Sequence, residues 1–287
     1  MRAVLFVNPR SGKGGGPSVE ELAAAAGALD VDVHVMEEGE ALDSLAREAD
    51  ADVLAMAGGD GSLGVVAQVA IERDVPFLCI PWGTRNHFAT DAGLDGDDPL
   101  GALDALREGV ERRVDVGRVG ERLFLNNVSL GVYARLVHRR ERRRRRDEAF
   151  ARLRALVRSL AEHRYTEKFV VDGQPVRASV LLVSNNEYQL DLLSLGERAR
   201  LDEGKLAIYA ARGLRRLEWT ERLAERVVVD GPRSRVRAAV DGEPAFFELP
   251  VVLAIEPRAL RVLLPRVTED GAERATEHLP AQASSVF

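Results

Sequence analysis

The stretch VLAMAGGDGSLGVVAQVAIER, residues 53–73, passes from an apolar strand through a glycine turn into a helix. VLAMA is short and continuously apolar, which is typical of a strand buried on both faces of a parallel sheet. Gly58 and Gly59 permit a tight turn, and Asp60 lies at its tip. The segment SLGVVAQVAIER has helical periodicity, and Ser62 is expected to open that helix. The stretch therefore predicts one strand–loop–helix unit of an α/β fold.

Similar units lie on both sides of this stretch. Ser18 and Glu21 form a capping-box signature before the apolar segment ELAAAAGAL, which predicts a helix. Further strands are predicted at AVLFV (3–7), VDVHV (31–35) and PFLCI (76–80). Strands that alternate with helices predict a parallel sheet covered by helices.

The second part of the chain has a different pattern. Short β-type segments with turn signals follow one another, and a segment at about 132–163 has a helical pattern. We predict an α/β domain at 1–112, a β-sandwich domain at 113–265 and a tail at 266–287.

Composition and charge narrow the functional classes. The chain has 287 residues, 46% of them hydrophobic, and a net charge of −6 that argues against a general nucleic-acid binder. The single cysteine, Cys79, lies in an apolar strand, which predicts a buried thiol. No apolar run approaches the ~20 residues that span a bilayer, and the segment after Met1 lacks the hydrophobic region of a secretory signal peptide. A cytoplasmic location is therefore expected.

The segment RRERRRRR, residues 139–146, contains seven Arg and one Glu. So many charges exclude it from a core. One interpretation is peripheral contact with an anionic membrane surface. The other is a solvated segment or a contact with an acidic partner.

Three glycine-containing loops follow predicted parallel strands. They are NPRSGKGGG (8–16), GGDGS (58–62) and PWGTRN (81–86). Ligands of such sheets bind outside the carboxyl ends of the strands, where closely spaced N–H groups attract phosphate. The first loop is not a regular P-loop, because Val7 and Gly14 occupy positions that require Gly and Ser or Thr. An ordinary turn explains each loop singly, but three loops on one edge favour a nucleotide site.

Asp60 places a carboxylate in a loop that is predicted to bind phosphate, and this needs a chemical explanation. A carboxylate repels a bound phosphate unless it holds Mg²⁺ or accepts a hydroxyl proton. We therefore expect Asp60 to organise Mg²⁺ or the acceptor. The alternative is an ordinary Asp-Gly turn.

The motifs NPRSGKG, GGDGS, PWGTRNHFA, NNVSLGVYA, LDEGKLAIY and VDGEP follow one another along the chain. In this order and spacing the sequence resembles the diacylglycerol kinase catalytic-domain family of soluble bacterial lipid kinases, which is related to sphingosine kinases. The resemblance extends from Met1 to about Pro265. It implies a nucleotide-binding α/β domain, a β-sandwich, a site in the cleft between them, and phosphorylation of a lipid hydroxyl with ATP and Mg²⁺.

The resemblance also implies roles for particular residues. It makes Asp241 of VDGEP the general base. It implies a structural Mg²⁺ site in Asp202-Glu203-Gly204, where Glu203 is the ligand and Arg200 and Lys205 add backbone carbonyls. Together with the three loops, it gives the nucleotide-binding candidates Asn8, Pro9, Arg10, Ser11, Gly12, Gly58, Gly59, Asp60, Gly61, Ser62, Gly83, Thr84 and Asn86.

The sequence departs from the family pattern at Gly64-Val65, where Asn-Glu is usual, and at Trp82 and His87. Two other functions therefore stay open. NAD kinases and phosphofructokinases also have a GGDG loop, which allows a kinase of a soluble substrate. A regulatory protein that binds nucleotide or lipid is the non-enzymatic alternative. Neither the lipid nor a choice between monomer and homodimer follows from the sequence.

Overall fold

A computed structural model describes residues 1–12, 16–84, 86–131, 167–188, 198–211 and 219–266. Lys13 to Gly15 of the first glycine loop and Arg85 of the third lie outside the described residues. So do the predicted helical segment at 132–163, the Arg-rich segment at 139–146 and the tail beyond residue 266.

The first part of the chain forms the predicted parallel sheet. Its strands are β1 (Ala3–Val7), β2 (Val31–Val35), β3 (Val53–Gly58) and β4 (Phe77–Pro81), in the order β2-β1-β3-β4. The helices are α1 (Val19–Gly27), α2 (Leu42–Glu48), α3 (Asp60–Arg73) and α4 (His87–Asp91), followed by a 3₁₀ turn (Gly101–Asp104) and α5 (Ala105–Glu108). Every residue of β1, β3 and β4 is buried, as continuous apolar strands require. Cys79 is buried in β4, as predicted.

Two predicted helix starts have different outcomes. The capping box before α1 is confirmed: Ser18 Oγ accepts from the Glu21 N–H, and the Glu21 carboxylate accepts from the Ser18 N–H. The prediction that Ser62 opens α3 is wrong, because the helix begins at Asp60 after the N-cap residue Gly59. The Ser62 hydroxyl donates to the Gly59 carbonyl instead, at 2.9 Å. Asp60 is therefore the first residue of a helix.

The second part of the chain forms two packed antiparallel layers. Its strands are β5 (Val110–Val119), β6 (Arg122–Phe124), β7 (Asn127–Gly131), β8 (Glu167–Val171), β9 (Gln174–Ala178), β10 (Val180–Asn185), β11 (Leu206–Ala211), β12 (Trp219–Ala224), β13 (Arg226–Asp230), β14 (Arg235–Val240), β15 (Glu243–Glu248) and β16 (Val251–Leu264). One layer has the order β12-β11-β10-β7-β14-β15. The other contains β9, β8, β13 and parts of β16, β5 and β6. Buried residues such as Phe124, Leu181 and Leu253 fill the space between the layers, which confirms the predicted sandwich.

The last strand joins the two parts. The first half of β16 pairs with β13 in the sandwich, and Val262 pairs in parallel with Phe77 of β4. A register shift between Glu256 and Leu260 separates the two halves in the pairing of β16 with β5. Leu260 and Val262 belong to the core of the parallel sheet. The boundary between domains at 112/113 stays a prediction, and β16 contributes to both cores.

None of the helices in the described ranges has the length and apolar character needed to cross a bilayer.

Candidate functional site

The three glycine loops meet at the carboxyl edge of the parallel sheet. A methyl group on Gly83 would lie 3.2 Å from Cα of Gly59 and 3.4 Å from the carbonyl oxygen of Gly58, so a glycine lets the second and third loops touch. The position of a methyl group on Gly12 is 3.3 Å from the Trp82 indole nitrogen. The first loop therefore packs against the start of the third.

Hydrogen bonds within the first loop set its shape. Asn8 Oδ1 accepts from the Arg10 N–H at 3.0 Å, and the Asn8 carbonyl accepts from the Ser11 N–H at 3.1 Å. The Asn8 N–H donates to Ala57 at the end of β3. Pro9 and Gly12 are exposed, and the Arg10 guanidinium pairs with Glu38 at 3.0 Å. The loop is thus tied to the strand that leads to Asp60.

Asn86 fixes the third loop from within. Its Oδ1 accepts from the Gly83 N–H at 2.8 Å, and its Nδ2 donates to the Gly96 carbonyl at 2.8 Å. Asn86 directly precedes α4, but its side chain makes no capping hydrogen bond to that helix. Thr84 is exposed on the same loop. Its contact with a nucleotide stays a prediction.

Asp60 has an unusual environment for a carboxylate. Its Oδ1 is buried and has no hydrogen-bond partner among the described residues. Burial raises the pKa of Asp60 to about 7, and the negative charge of Asp241 acts in the same direction, whereas Asn126 and Arg198 lower it. At neutral pH the carboxyl group is therefore poised between its protonated and ionised forms.

Asp241 is held by backbone N–H groups. Its Oδ2 accepts from Leu125 at 2.8 Å, and its Oδ1 accepts from Asn126 at 2.8 Å and Asn127 at 2.9 Å. Its own N–H donates to the Asn127 carbonyl at 2.9 Å. Burial raises the pKa of Asp241, while the three N–H donors and Arg198 act in the opposite direction. The carboxylate of Asp241 thus fastens the end of β14 to the segment before β7.

Arg198 is a site residue that the sequence reasoning missed. Its Nε donates to Asp91 Oδ2 at 2.7 Å, and its backbone N–H donates to Asp91 Oδ1 at 3.2 Å. The side chains are 0% and 2% exposed, so this ion pair between α4 and the second part of the chain is fully buried. Arg198 lies in the charged segment GERARLDEG and resembles a surface residue in sequence. Its partner is 107 positions away, so no local pattern revealed the pair.

Arg198 also supports the residues that hold Asp241. Its Nη1 donates to the Leu125 carbonyl at 2.7 Å, and its Nη2 donates to Asn126 Oδ1 at 2.7 Å. The amide nitrogen Nδ2 of Asn126 is buried without a partner among the described residues, as is Asp60 Oδ1. The two side chains lie close enough for Asn126 to lower the pKa of Asp60, but neither atom makes a hydrogen bond of normal geometry with a described residue, which is the pattern expected where a ligand or water completes the site. Arg198 therefore links α4, Asn126 and the anchor of Asp241.

Glu243 brings the second part of the chain against the second glycine loop. A methyl group on Gly61 would lie 2.6 Å from Cγ of Glu243, so a larger residue at this position would have to displace the Glu243 side chain. A groove of about 250 Å³ opens beside this contact, and Gly64, Val65 and Asp241 line it. Gly64 and Val65, which stand where the family pattern has Asn-Glu, therefore face the cleft. Glu243 lies in VDGEP, but only the packing showed its place at the site.

The residues of the implied metal site lie on the loop that leads into β11. Glu203 Oε2 accepts from the Glu187 N–H at 3.3 Å, and the Lys205 carbonyl accepts from the Asn186 N–H at 2.9 Å. The Arg200 side chain pairs with an aspartate two positions further on, at 3.0 Å. A carbonyl oxygen has a second lone pair, so these donors still fit a cation. In the described ranges, no cluster of three or more His, Cys, Asp or Glu side chains is arranged to hold a metal.

Known proteins resemble this chain in sequence and in fold. The diacylglycerol kinase catalytic domain matches residues 2–119. Diacylglycerol kinases of Staphylococcus aureus strains JH9 and Newman are 43% identical over 77 residues. The family resemblance is confirmed. The 77 residues are 26% of this chain and 24% of each enzyme, so the chain matches about a quarter of the length of these relatives.

The fold extends the likeness beyond the family match. Two crystal structures from Bacillus anthracis strain Sterne superpose with TM-scores of 0.72 and 0.67, at 19% and 17% identity. The first is described as a candidate diacylglycerol kinase and the second as a diacylglycerol kinase. Each comparison covers 92% of this chain and 96% of the other. The family match contains the three loops and Asp60, whereas Asp241, Arg198 and the implied metal site lie in the part supported by fold alone.

The raised pKa of Asp60 predicts how stability depends on pH. Between pH 4 and 7 the folded protein keeps a proton that the unfolded chain releases, so this contribution is present at pH 4 and is lost as the pH rises through 7. An Asp60→Asn variant cannot ionise and should be more stable than the parent by ~2–4 kcal/mol at pH 8. Urea unfolding at pH 4.5 and pH 8 measures the difference. Equal differences at the two pH values would contradict the raised pKa.

Proposed function

We propose that the protein is an ATP-dependent lipid kinase, which transfers the γ-phosphoryl group to a hydroxyl of diacylglycerol or a related lipid. The observation that carries this proposal is the position of Asp60. Its buried oxygen without a partner, with a pKa of about 7, lies where three glycine loops meet. The match to the diacylglycerol kinase catalytic domain supports the lipid acceptor.

The reaction needs a proton acceptor and a binding site for the phosphates of ATP. The lipid oxygen attacks the γ-phosphorus, the bond from that phosphorus to the bridging oxygen breaks, and ADP leaves. The hydroxyl proton passes to the Asp60 carboxylate, whose pKa is matched to neutral pH. N–H groups of the glycine loops bind the phosphates, including those at Gly59 and Gly61.

The Mg²⁺ ion that accompanies ATP needs oxygen ligands, and the Asp60 carboxylate is a candidate ligand. Mg²⁺ would neutralise phosphate charge when bound. The oxygen of Asp60 without a partner fits such a cation, but ligation would lower the pKa of this carboxyl group, so holding Mg²⁺ is the competing role to proton acceptance. A structural Mg²⁺ held by Glu203 and the carbonyls of Arg200 and Lys205 is a separate proposal. Peripheral membrane contact through residues 139–146 and a homodimer also remain proposals.

Asp60 and Asp241 have different capacities for proton transfer. Three backbone N–H groups occupy most of the lone pairs of Asp241. We therefore assign proton acceptance to Asp60. Asp241 anchors the cleft and raises the pKa of Asp60 through its charge. The assignment of the base to Asp241, which the family resemblance implies, stays a competing prediction.

Phosphate transfer from labelled ATP to several acceptors tests the function. The acceptors are a dispersed short-chain diacylglycerol, a monoacylglycerol, NAD and a sugar phosphate. Label is expected in the diacylglycerol with the parent protein. The control is Gly83→Val, whose side chain pushes the second and third loops apart and should abolish labelling.

Other outcomes assign another function. Label only in NAD or the sugar phosphate would contradict the lipid acceptor and favour a kinase of a soluble substrate. Binding of ATP without label in any acceptor would favour the regulatory alternative.

A further inference from the structure

A second groove lies at the end of the sandwich remote from Asp241. Its volume is about 390 Å³, and it opens beside the start of β8, the turn before β14 and the strand β15. Four cationic side chains line it, together with one carboxylate, that of Glu167. The cations are Lys168, Arg233, Arg235 and Arg237, and all four are exposed. We call this feature the sandwich-end groove.

The cations of the sandwich-end groove differ from other arginines of the chain. Arg47, Arg118 and Arg261 each pair with a glutamate. Within the described part of the chain, none of the four groove cations forms an ion pair with a carboxylate. Arg235 faces Glu248 in the β14–β15 ladder but forms no such bond. Four cations that have no ion-pair partner among the described residues, on a chain of net charge −6, indicate an anionic partner.

Apolar side chains complete the groove. Phe246 is 46% exposed on β15, and the Arg235 guanidinium lies 4.5 Å from its ring centroid. Phe169 and Val236 are buried beneath the groove, and Leu249 lies at its side. An exposed aromatic ring among arginines suits the boundary between phospholipid headgroups and acyl chains, where the ring enters the apolar layer and the guanidinium groups meet phosphate.

We propose that the sandwich-end groove docks the protein on a surface of anionic phospholipids. This inference rests on the proposed function in one respect, since a lipid kinase must reach a membrane to find its substrate. The groove is distinct from the Arg-rich segment 139–146. The exposed Phe246 favours a lipid surface over a nucleic acid or an acidic peptide, because a bilayer offers the ring an apolar layer next to the phosphates.

Docking through this groove leaves the candidate active site accessible. Arg235 begins β14, and Asp241 directly follows it, so the groove and the cleft lie at opposite ends of one strand. Six residues of extended chain separate them by about 20 Å. A membrane on the sandwich-end groove therefore does not cover the three glycine loops.

Flotation with vesicles measures the docking without any substrate. The parent protein should bind vesicles that contain phosphatidylglycerol, bind pure phosphatidylcholine weakly, and dissociate at high salt. The double variant Arg235→Gln/Arg237→Gln should bind roughly 25-fold more weakly, since each basic side chain adds about fivefold. The control Arg2→Gln/Arg107→Gln changes the net charge equally at two exposed positions of the first domain and should bind like the parent. Phe246→Ala should weaken binding without changing its dependence on salt.

Three results would overturn the proposal. The groove variants could bind like the parent, or binding could disappear only when residues 139–146 are neutralised with the groove intact. Binding to polyglutamate without binding to vesicles would assign the groove to an acidic protein. Labelling of dispersed short-chain diacylglycerol is measured separately, so failure of docking and failure of the kinase function give different results.

Discussion

Replacing Asp60 by Asn is expected to lower the rate of phosphoryl transfer by about 10²–10⁴-fold, the usual contribution of a positioned general base. The amide keeps the size of the side chain but cannot accept the hydroxyl proton. Nucleotide affinity should change little, because the loop N–H groups that hold the phosphates are backbone groups. Single-turnover transfer and titration with a fluorescent nucleotide measure the two quantities. Asp32→Asn, at an exposed position of the outer strand β2, serves as the control.

Comparison with Asp241→Asn decides which carboxylate accepts the proton. The amide introduced by this change would turn its own N–H donors toward the backbone N–H groups of residues 125–127, so at least one hydrogen bond is lost and stability should fall by ~1–3 kcal/mol. Asp60→Asn should instead be inactive and at least as stable as the parent. If Asp60→Asn were active while Asp241→Asn were stable and inactive, the base would be Asp241.

Replacing Arg198 by Met is expected to destabilise the protein by ~3–5 kcal/mol and to slow transfer severely while leaving a measurable rate. The change leaves the Asp91 carboxylate buried without its cation, and uncompensated buried charge is among the most costly single changes. It also removes the bonds to Leu125 and Asn126. Urea unfolding and the transfer assay measure both effects. Arg200→Met, two positions away in an exposed ion pair, is the matched control and should be close to the parent.

A second measurement separates positioning by Arg198 from a purely structural role. The positive charge of Arg198 lowers the pKa of Asp60, so its removal should raise that pKa and move the acid limb of the pH–rate profile upward. Arg198→Lys retains the positive charge, so its pH–rate profile should lie closer to that of the parent than the profile of Arg198→Met does. The charge exchange Asp91→Arg with Arg198→Asp should recover stability relative to either single change. A profile identical to the parent in a folded, weakly active Arg198→Met variant would contradict the positioning role.

The sequence predicted most of the parallel sheet, because three of its four strands, β1, β3 and β4, are short, wholly apolar runs. The meeting of the three loops also followed from chain order, since the ends of parallel strands share one edge. Local signals were less reliable: Ser62 resembled a helix cap, yet Asp60 starts the helix. The contacts of Arg198 with Asp91, and of Glu243 with Gly61, join residues far apart in sequence. Such contacts have no periodicity, so only the packed structure reveals them.

The path of β16 has a consequence for synthesis on the ribosome. Phe77 receives its parallel partner Val262 only after almost all described residues have been translated. Until then β4 is an edge strand, and the hydrophobic side chains that Leu260 and Val262 cover stay accessible to water or chaperones. A nascent chain that ends at residue 119 contains the whole matched catalytic segment but lacks the strand that closes its sheet. The nucleotide half and the sandwich are therefore expected to complete their folding together, once β16 has been translated.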